Sequence, residues 1–194
     1  MNERVLFVCT GNICRSPIGE VLLRSAPGLP DGAVVGSAGL LFEGREASDG
    51  AVAWGDRVGI DLRCHRSRVI STELIEEQDL ILGMEPQHVR EVVALSDRAW
   101  SYTYTLRELA SRVDRVGPRR EDESVSGYLS RVSEGRKRLD LMTDTTGLSI
   151  ADPYQLSAET YDQTAADIAT ALLAVTGAIW PRGTASETQT ARSA

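Results

Sequence analysis

One short segment near the start of the chain constrains its fold more than any other. Four apolar residues, 5–8, are typical of a buried strand in a parallel sheet, and Cys9 follows them directly. After five intervening residues come Arg15, Ser16 and Pro17, and proline is favoured in the first turn of a helix. The segment therefore predicts a strand, a tight loop and a helix, with a cysteine at the carboxyl end of the strand.

The loop between Cys9 and Arg15 is typical of an anion-binding site. Its backbone N–H groups and the positive end of the helix dipole attract an oxyanion, and Arg15 can bind two of its oxygens at once. The same charges stabilise the thiolate, which is the nucleophilic form of cysteine. Gly11 permits close backbone approach, and Asn12 tolerates a left-handed backbone. We therefore predict that Cys9 attacks phosphorus while Arg15 and the loop amides stabilise the transition state.

The motif Cys9-Thr-Gly-Asn-Ile-Cys-Arg-Ser-Pro17 resembles the signature of the low-molecular-weight protein tyrosine phosphatases. The resemblance spans about residues 4–101 and 152–180 and implies the family's fold, a four-stranded parallel sheet flanked by helices. Leu40-Leu-Phe42 stands where eukaryotic members carry a tryptophan, as in bacterial members associated with polysaccharide-regulating tyrosine kinases. Further matches follow in the expected order: Ser37-Ala-Gly, Gly59-Ile-Asp, His65-Arg-Ser-Arg, Asp79-Leu-Ile-Leu-Gly-Met-Glu with His88, and Asp152-Pro-Tyr.

The resemblance implies that Asp152 is the general acid and base. Hydrolysis of a phenyl phosphate needs a proton for the leaving phenolate and then a base for the attacking water. Pro153 stiffens the loop that would hold this carboxylate over the phosphate. Asp140 and Asp144, in the preceding stretch of chain, are the alternative acids.

Other site residues come from the loop and from the two walls expected around the substrate. Tyr154 would stack on the phenyl ring, and Phe42 or Leu41 would form the opposite wall, although each also suits ordinary packing. Ser16 would hold Asn12 or the thiolate, or would cap the following helix. The predicted catalytic residues are Cys9, Arg15 and Asp152, and the predicted substrate-binding residues are Thr10, Gly11, Asn12, Ile13, Cys14, Ser16, Phe42 and Tyr154.

Cys14 lies in the same loop as Cys9 and has two interpretations. Oxidation of Cys9 to a sulfenic acid would allow Cys14 to form a disulfide with it and so protect the nucleophile. Cys14 would otherwise be a small buried side chain that fills space. Cys64-His65 has no second pair of ligands at zinc spacing, so we predict no metal site, and this chemistry requires no cofactor.

Composition limits the partners and the compartment. The net charge of −7 argues against nucleic acid or an anionic membrane as the main partner. No apolar stretch reaches the length of a membrane span, and the first residues lead directly into a strand rather than a signal peptide. Three cysteines, one of them needed as a thiolate, suit a reducing compartment, so we expect a cytoplasmic protein.

Strands and helices alternate along the chain, which predicts an α/β fold with a doubly wound parallel sheet. Such sheets bind ligands at the carboxyl ends of their strands, where Cys9 is expected. We predict one domain over 1–180, with a helical insertion over about 106–150 before the acid loop, and a disordered polar tail over 181–194. Within the domain, we expect helices over 17–25 and 124–139 and the fourth strand over 100–103.

The predicted function is hydrolysis of phosphotyrosine in proteins, including a bacterial tyrosine kinase, through a cysteinyl-phosphate on Cys9. One alternative is an arsenate reductase on the same scaffold. Its shuttle chemistry needs two further redox cysteines near the third strand, where 80–95 has none and only Cys64 remains. The other alternative is a phosphopeptide-binding module without turnover, although both Cys9 and Asp152 are present.

Overall fold

The computed structural model describes residues 3–142 and 147–181, and its centre is a sheet of parallel strands. The strands are β1 (Arg4–Cys9), β2 (Val34–Gly39), β3 (Leu80–Gly83) and β4 (Thr103–Thr105). Their order in the sheet is β2-β1-β3-β4, and every neighbouring pair is parallel. The strand order reverses beside β1, so the predicted doubly wound, four-stranded parallel sheet is confirmed. The carboxyl end of β1, which carries Cys9, lies at the switch point where such sheets bind ligands.

Helices cover both faces of this sheet, because its apolar strands must be buried on either side. Side chains of β1 alternate between the two faces: Val5 and Phe7 belong to the larger core, and Leu6 and Val8 to the smaller one. The helices are α1 (Arg15–Arg24), α2 (Asp49–Val58), α3 (Thr72–Glu76), α4 (Pro86–Leu95), α5 (Leu106–Val116), α6 (Val125–Val132) and α7 (Ala158–Ile179), with 3₁₀ helices at Asp97–Tyr102 and Arg138–Leu141. Among the described residues, none of these helices combines the length and apolarity needed to cross a membrane.

Side-chain caps fix where several of the helices begin. Ser48 accepts a hydrogen bond from the amide of Ala51 at the start of α2. Thr105 accepts one from the amide of Glu108 at the start of α5. Both positions agree with the sequence, because serine and threonine satisfy amides that the first turn of a helix leaves unpaired.

The first helix begins two residues earlier than the sequence predicts. Its first residue is Arg15 rather than Pro17, and Cys14 occupies the N-cap, where its side chain accepts no hydrogen bond from the amides of the first turn. Pro17 is tolerated in this first turn because the amide it lacks would have had no partner within the helix. Arg15 and Ser16 therefore belong to the rigid helix, which points both side chains at the loop.

Two other boundaries differ from the predicted ones. The fourth strand begins at Thr103, and the residues before it, including Trp100, form a 3₁₀ helix. The helix expected over 124–139 ends at Val132, and Gly135 then adopts a left-handed backbone with φ of 72°. The two segments meet in the structure, because the guanidinium of Arg136, beyond the end of the helix, lies 3.7 Å from the ring centroid of Trp100.

That 106–150 is an insertion relative to the family stays a prediction, as does the single domain over 1–180. The segment holds α5, α6 and the 3₁₀ helix Arg138–Leu141. Residues 143–146 lie outside the described residues, and so does the predicted tail from residue 182 onward.

Candidate active site

The loop after β1 wraps around the sulfur of Cys9. The amide of Asn12 donates a hydrogen bond to this sulfur at 3.2 Å, and the hydroxyl of Ser16 lies 3.0 Å from it. Cys9 is buried, so few water molecules compete for these contacts. The two groups stabilise negative charge on the sulfur, as a nucleophilic thiolate requires.

Asn12 holds the loop in shape through both polar atoms of its side chain and through its backbone carbonyl. Its φ of 52° is left-handed, which costs energy in a residue other than glycine. Its amide nitrogen Nδ2 donates to the hydroxyls of Ser16 and Ser37 at 2.9 and 2.8 Å. Its Oδ1 accepts from the backbone amide of Arg68 at 3.0 Å, and its carbonyl oxygen lies 2.6 Å from Nε2 of His65. The protein's own hydrogen bonds therefore hold the loop in its shape.

Arg15 is oriented by acceptors from distant parts of the chain. Its Nη2 donates to Asp152 at 2.7 Å, and its Nη1 donates to Glu85 and to the carbonyl of Ile150. The side chain is only 2% exposed, and its Nε–H has no partner among the described residues. A buried N–H donor without a partner is costly, and an oxyanion in the loop would satisfy it.

Asp152 lies across the loop from Cys9, at the mouth of the site. The loop that carries it is tied to β3, because the amide of Ile150 donates to the carbonyl of Met84 at 2.8 Å. One carboxylate oxygen pairs with Arg15, and the other accepts from the amide of Tyr154 at 3.2 Å. Its side chain is 46% exposed, so water can reach it.

The two alternative acids do not lie at this site in the described part of the chain. Asp140 is in the 3₁₀ helix Arg138–Leu141, where it accepts from the backbone amide of Lys137. Asp144 lies outside the described residues. Asp152 is the carboxylate that the structure places beside Cys9 and Arg15.

These residues line a cavity of about 210 Å³ at the carboxyl end of β1. Of the predicted substrate-binding residues, Asn12 and Ser16 do not line it, because they are fully buried behind the loop. They act through the sulfur and the loop rather than by touching a substrate. The lining consists of Cys9, Thr10, Gly11, Ile13, Cys14, Arg15, Leu41, Phe42, Asp152 and Tyr154.

The sequence interpretation missed Glu85 as a partner of Arg15. By its sequence context His88 suits a surface or helix-capping position better than a catalytic one; in the structure it is a helix cap and is completely buried. Its Nδ1 accepts from the amide of Glu85 at 2.9 Å, which leaves the proton on Nε2, 3.0 Å from the hydroxyl of Thr10. His88 thus connects the start of α4 to the catalytic loop, and Glu85 at this helix start pairs with Arg15. The three-residue spacing between Glu85 and His88, at a proline, was the available signal.

Stability should fall in mild acid because His88 is buried in its neutral form. Burial and the nearby Arg15 lower the pKa of His88 from 6.5 to about 3. Above pH 6.5 the imidazole is neutral in both the folded and the unfolded chain. Below pH 6.5 the unfolded chain binds a proton at His88 that the folded chain does not bind. Between pH 7 and pH 5 we expect His88 to account for a loss of about 2 kcal/mol in the free energy of unfolding.

Urea unfolding of the wild type and of His88→Gln at these two pH values measures this contribution. The glutamine variant is less stable at pH 7, where it has lost the cap, but its stability should depend less on pH. Equal losses between pH 7 and pH 5 in both proteins would contradict a buried neutral His88.

Cys14 faces away from the sheet, toward α2 and α7. Its sulfur lies 3.0 Å from the hydroxyl of Ser48 and 3.5 Å from that of Tyr161, and burial raises the pKa of its thiol. Cys9 and Cys14 are both free thiols in this structure. Their oxidation to a protective disulfide stays a prediction.

Comparison with known proteins decides the family. Residues 4–118 match the family model described as low molecular weight phosphotyrosine protein phosphatase, which is more than half of the chain. The chain belongs to this family. The resemblance noted in the sequence is therefore confirmed, and with it the assignment of the chain as a phosphatase.

Two relatives illustrate the range of this phosphatase family. The low molecular weight protein-tyrosine-phosphatase Etp of Escherichia coli (strain K12) is 38% identical over 141 residues, which cover 70% of this chain and 93% of Etp. The protein-arginine-phosphatase of Geobacillus stearothermophilus is 39% identical over 115 residues, which cover 59% of this chain and 76% of that protein. Family membership alone therefore leaves the phosphorylated residue open.

A solved member of the phosphatase family has the same fold over most of both chains. Wzb of Vibrio vulnificus, in complex with benzylphosphonate, superposes with a TM-score of 0.64 at 25% identity and covers 91% of this chain and 98% of its own. The agreement extends well beyond the signature loop, so it includes the helices that surround the site.

Proposed function

We propose that this phosphatase hydrolyses phosphotyrosine in proteins through a cysteinyl-phosphate on Cys9. The observation that carries the proposal is the meeting of Cys9, Arg15 and Asp152 around one cavity whose walls are mostly apolar. The relatives named protein-tyrosine-phosphatases support it. A bacterial tyrosine kinase that carries phosphotyrosine is one such substrate.

In the first step the thiolate of Cys9 attacks phosphorus, so an S–P bond forms and the P–O bond to the phenol breaks. The electron pair of that bond leaves on the phenolate oxygen, and protonated Asp152 supplies its proton. Arg15 and the loop amides hold the equatorial oxygens, where negative charge is concentrated in the transition state. Asn12 and Ser16 stabilise the sulfur before the attack.

In the second step water attacks phosphorus, and the S–P bond breaks. Asp152, now a carboxylate, takes the proton of the water, the phosphate leaves, and Cys9 returns to the thiolate. Asp152 pairs with Arg15 in this structure, so the carboxylate uses donors that a bound phosphate would also use. Substrate binding therefore displaces Asp152 from Arg15 and frees it for proton transfer.

The cavity walls favour an aromatic substrate over phosphoarginine. Ile13, Leu41 and Phe42 present apolar surface, and Tyr154 completes the opposite side. A phenyl ring gains energy from burial against such walls. The charged guanidinium of phosphoarginine would lose water there, and Asp152 is the one carboxylate among the described lining residues that could pair with it.

Turnover of two matched peptides, one with phosphotyrosine and one with phosphoarginine at the same position, tests this specificity. We expect kcat/KM to favour phosphotyrosine by at least about tenfold, since differences in apolar contact and polar desolvation are worth about 1–3 kcal/mol. Phe42→Ala should lower kcat/KM on the phosphotyrosine peptide by about tenfold, and Leu173→Ala, on the exposed face of α7, should leave it unchanged. Preference for phosphoarginine would assign the other activity known in this family.

The structure also bears on the arsenate reductase alternative. Cys64 is exposed and is not among the residues that line the catalytic cavity. It therefore lies in the wrong place to relay oxidation from Cys9, which counts against this alternative.

A further inference from the structure

A second cavity lies beside the edge strand β2 and shares no lining residue with the catalytic cavity. It measures about 530 Å³, within the range of small-molecule sites, and is bounded by α1, the segment 61–68 and the end of α3. Four arginines and the three carboxylates Glu20, Asp61 and Glu77 line it, so the lining has a small excess of positive charge although the chain as a whole is acidic. These arginines are Arg4, Arg24, Arg66 and Arg68.

Three of these arginines are neutralised by carboxylates, and the fourth is not. The ion pairs are Arg4–Glu77, Arg24–Glu20 and Arg66–Glu46. Within residues 3–142 and 147–181, Arg68 makes no ion pair. Its Nε donates to the carbonyl of Ser37 at 2.8 Å, and its two terminal nitrogens have no partner in the same part of the chain. The cavity therefore contains a positioned guanidinium whose terminal donors are free.

The guanidinium of Arg68 lies against the backbone of β2. A Cβ atom on Gly36 would lie only 2.5 Å from Nη2 of Arg68, so glycine is what allows this position. The carbonyl of Val35 is occupied by Arg24, and the carbonyl of Ser37 by Arg68. Amide and carbonyl of one strand residue point to the same side, so the N–H groups of Val35 and Ser37 also face the cleft. Along the outer edge of β2, the carbonyls of Val35 and Ser37 are therefore already occupied, and the N–H donors of these residues remain.

We propose that this cleft is a second binding site, which takes the carboxylate or phosphate group of a small anionic ligand. The free edge of Arg68 binds two oxygens of that group, because the planar guanidinium matches the spacing of a carboxylate or phosphate. The rest of the cavity holds the body of the ligand. This proposal does not rest on the identity of the phosphorylated substrate.

The cleft is connected to the catalytic loop through Asn12. The backbone amide of Arg68 donates to Oδ1 of Asn12 at 3.0 Å, and the hydroxyl of Ser37 accepts from its Nδ2 at 2.8 Å. Ser37 and Arg68, which both bind the side chain of Asn12, are therefore also part of the cleft. An anion bound to Arg68 therefore affects the hydrogen bonds that keep the backbone of Asn12 left-handed. By reciprocity, a ligand bound in the catalytic loop changes the affinity of the cleft for the anion.

Anion binding in the cleft and its coupling to Asn12 are both tested by titrating the ¹⁵N-labelled protein with citrate. The ionic strength is held constant, and benzylphosphonate saturates the catalytic loop. We expect saturable shifts of the amide resonances of Gly36, Ser37 and Arg68, accompanied by Asn12. Arg68→Gln should weaken citrate binding at least tenfold, since it removes a charged bidentate contact. Arg66→Gln, on the same rim but already paired with Glu46, should change it less than twofold.

Two further measurements complete the design. Gly36→Ala places a methyl group against the guanidinium and should also weaken binding, which tests the site without removing Arg68. A parallel titration with inorganic phosphate identifies the head group: tighter binding of phosphate indicates a phosphoryl ligand, and tighter binding of citrate a carboxylate. Shifts confined to residues 10–16, or shifts that do not saturate and are equal in Arg68→Gln, would overturn the proposal.

Discussion

Replacing Cys9 by serine should abolish turnover of para-nitrophenyl phosphate, with a fall in kcat of about 10⁴-fold or more. The serine hydroxyl is protonated at neutral pH, and the two described groups that contact the side chain at position 9, the amide of Asn12 and the hydroxyl of Ser16, are not bases that could activate it. The loop and Arg15 are unchanged, so the variant should still bind phosphate. Steady-state assays with a chelator present, together with phosphate titration of the variant, measure both properties.

Asp152→Ala should lower kcat by about 10²–10⁴-fold, because general acid catalysis contributes that much. The loss should be larger with phenyl phosphate than with para-nitrophenyl phosphate, whose leaving group needs less protonation. Asp140→Ala is the matched control, since this carboxylate caps a 3₁₀ helix away from the cavity. Equal rates for Asp152→Ala and the wild type on both substrates would show that the proton comes from another group.

Arg136→Met should lower the free energy of unfolding by about 3–5 kcal/mol, because it leaves the carboxylate of Glu108 buried without its main partner. Arg136 is paired with Glu108 through two hydrogen bonds, of 2.6 and 3.0 Å. Its guanidinium also lies between two rings, 3.7 Å from the centroid of Trp100 and 4.2 Å from that of Tyr104. This cluster ties the segment after α6 to β4 and α5.

Urea unfolding of three variants separates this buried pair from an ordinary surface pair. Arg138→Met breaks an exposed pair with Asp97 and should cost less than about 1 kcal/mol. The double variant Arg136→Met/Glu108→Gln should recover part of the stability lost in the single variant, since it removes a buried carboxylate that would retain only the longer, 3.3 Å contact with Arg112. A similar cost for Arg136→Met and Arg138→Met would contradict a structural role for the buried cluster.

The catalytic loop was accessible to sequence reasoning because its parts are close in the chain. Cys9 and Arg15 are six positions apart, and a strand, a loop and a helix start have strong local signals. The same holds for the caps at Ser48 and Thr105. Asp152 is distant in sequence, and only the resemblance to a known family indicated it.

Residues that act through long-range contacts were missed or misplaced. Glu85 and His88 come next to Arg15 and Thr10 only because β3 lies beside β1 in the sheet. Trp100 favours a strand by its own propensity, but its ring packs on Arg136 and the backbone forms a 3₁₀ helix instead. Local preferences of about 1 kcal/mol are small beside the energy of such buried contacts.

The sequence by itself determined the parallel sheet and the family and predicted the nucleophile and its arginine, because each is encoded in local patterns or in a contiguous motif. Only the tertiary structure decided how these parts are held: Arg15 by Glu85 and Asp152, Asn12 by Ser37 and Arg68. It also revealed that Arg68, in the cleft beside β2, makes no ion pair with any residue that the structure describes. These features depend on which strands become neighbours, and that is set by the packing of the whole core rather than by any one segment.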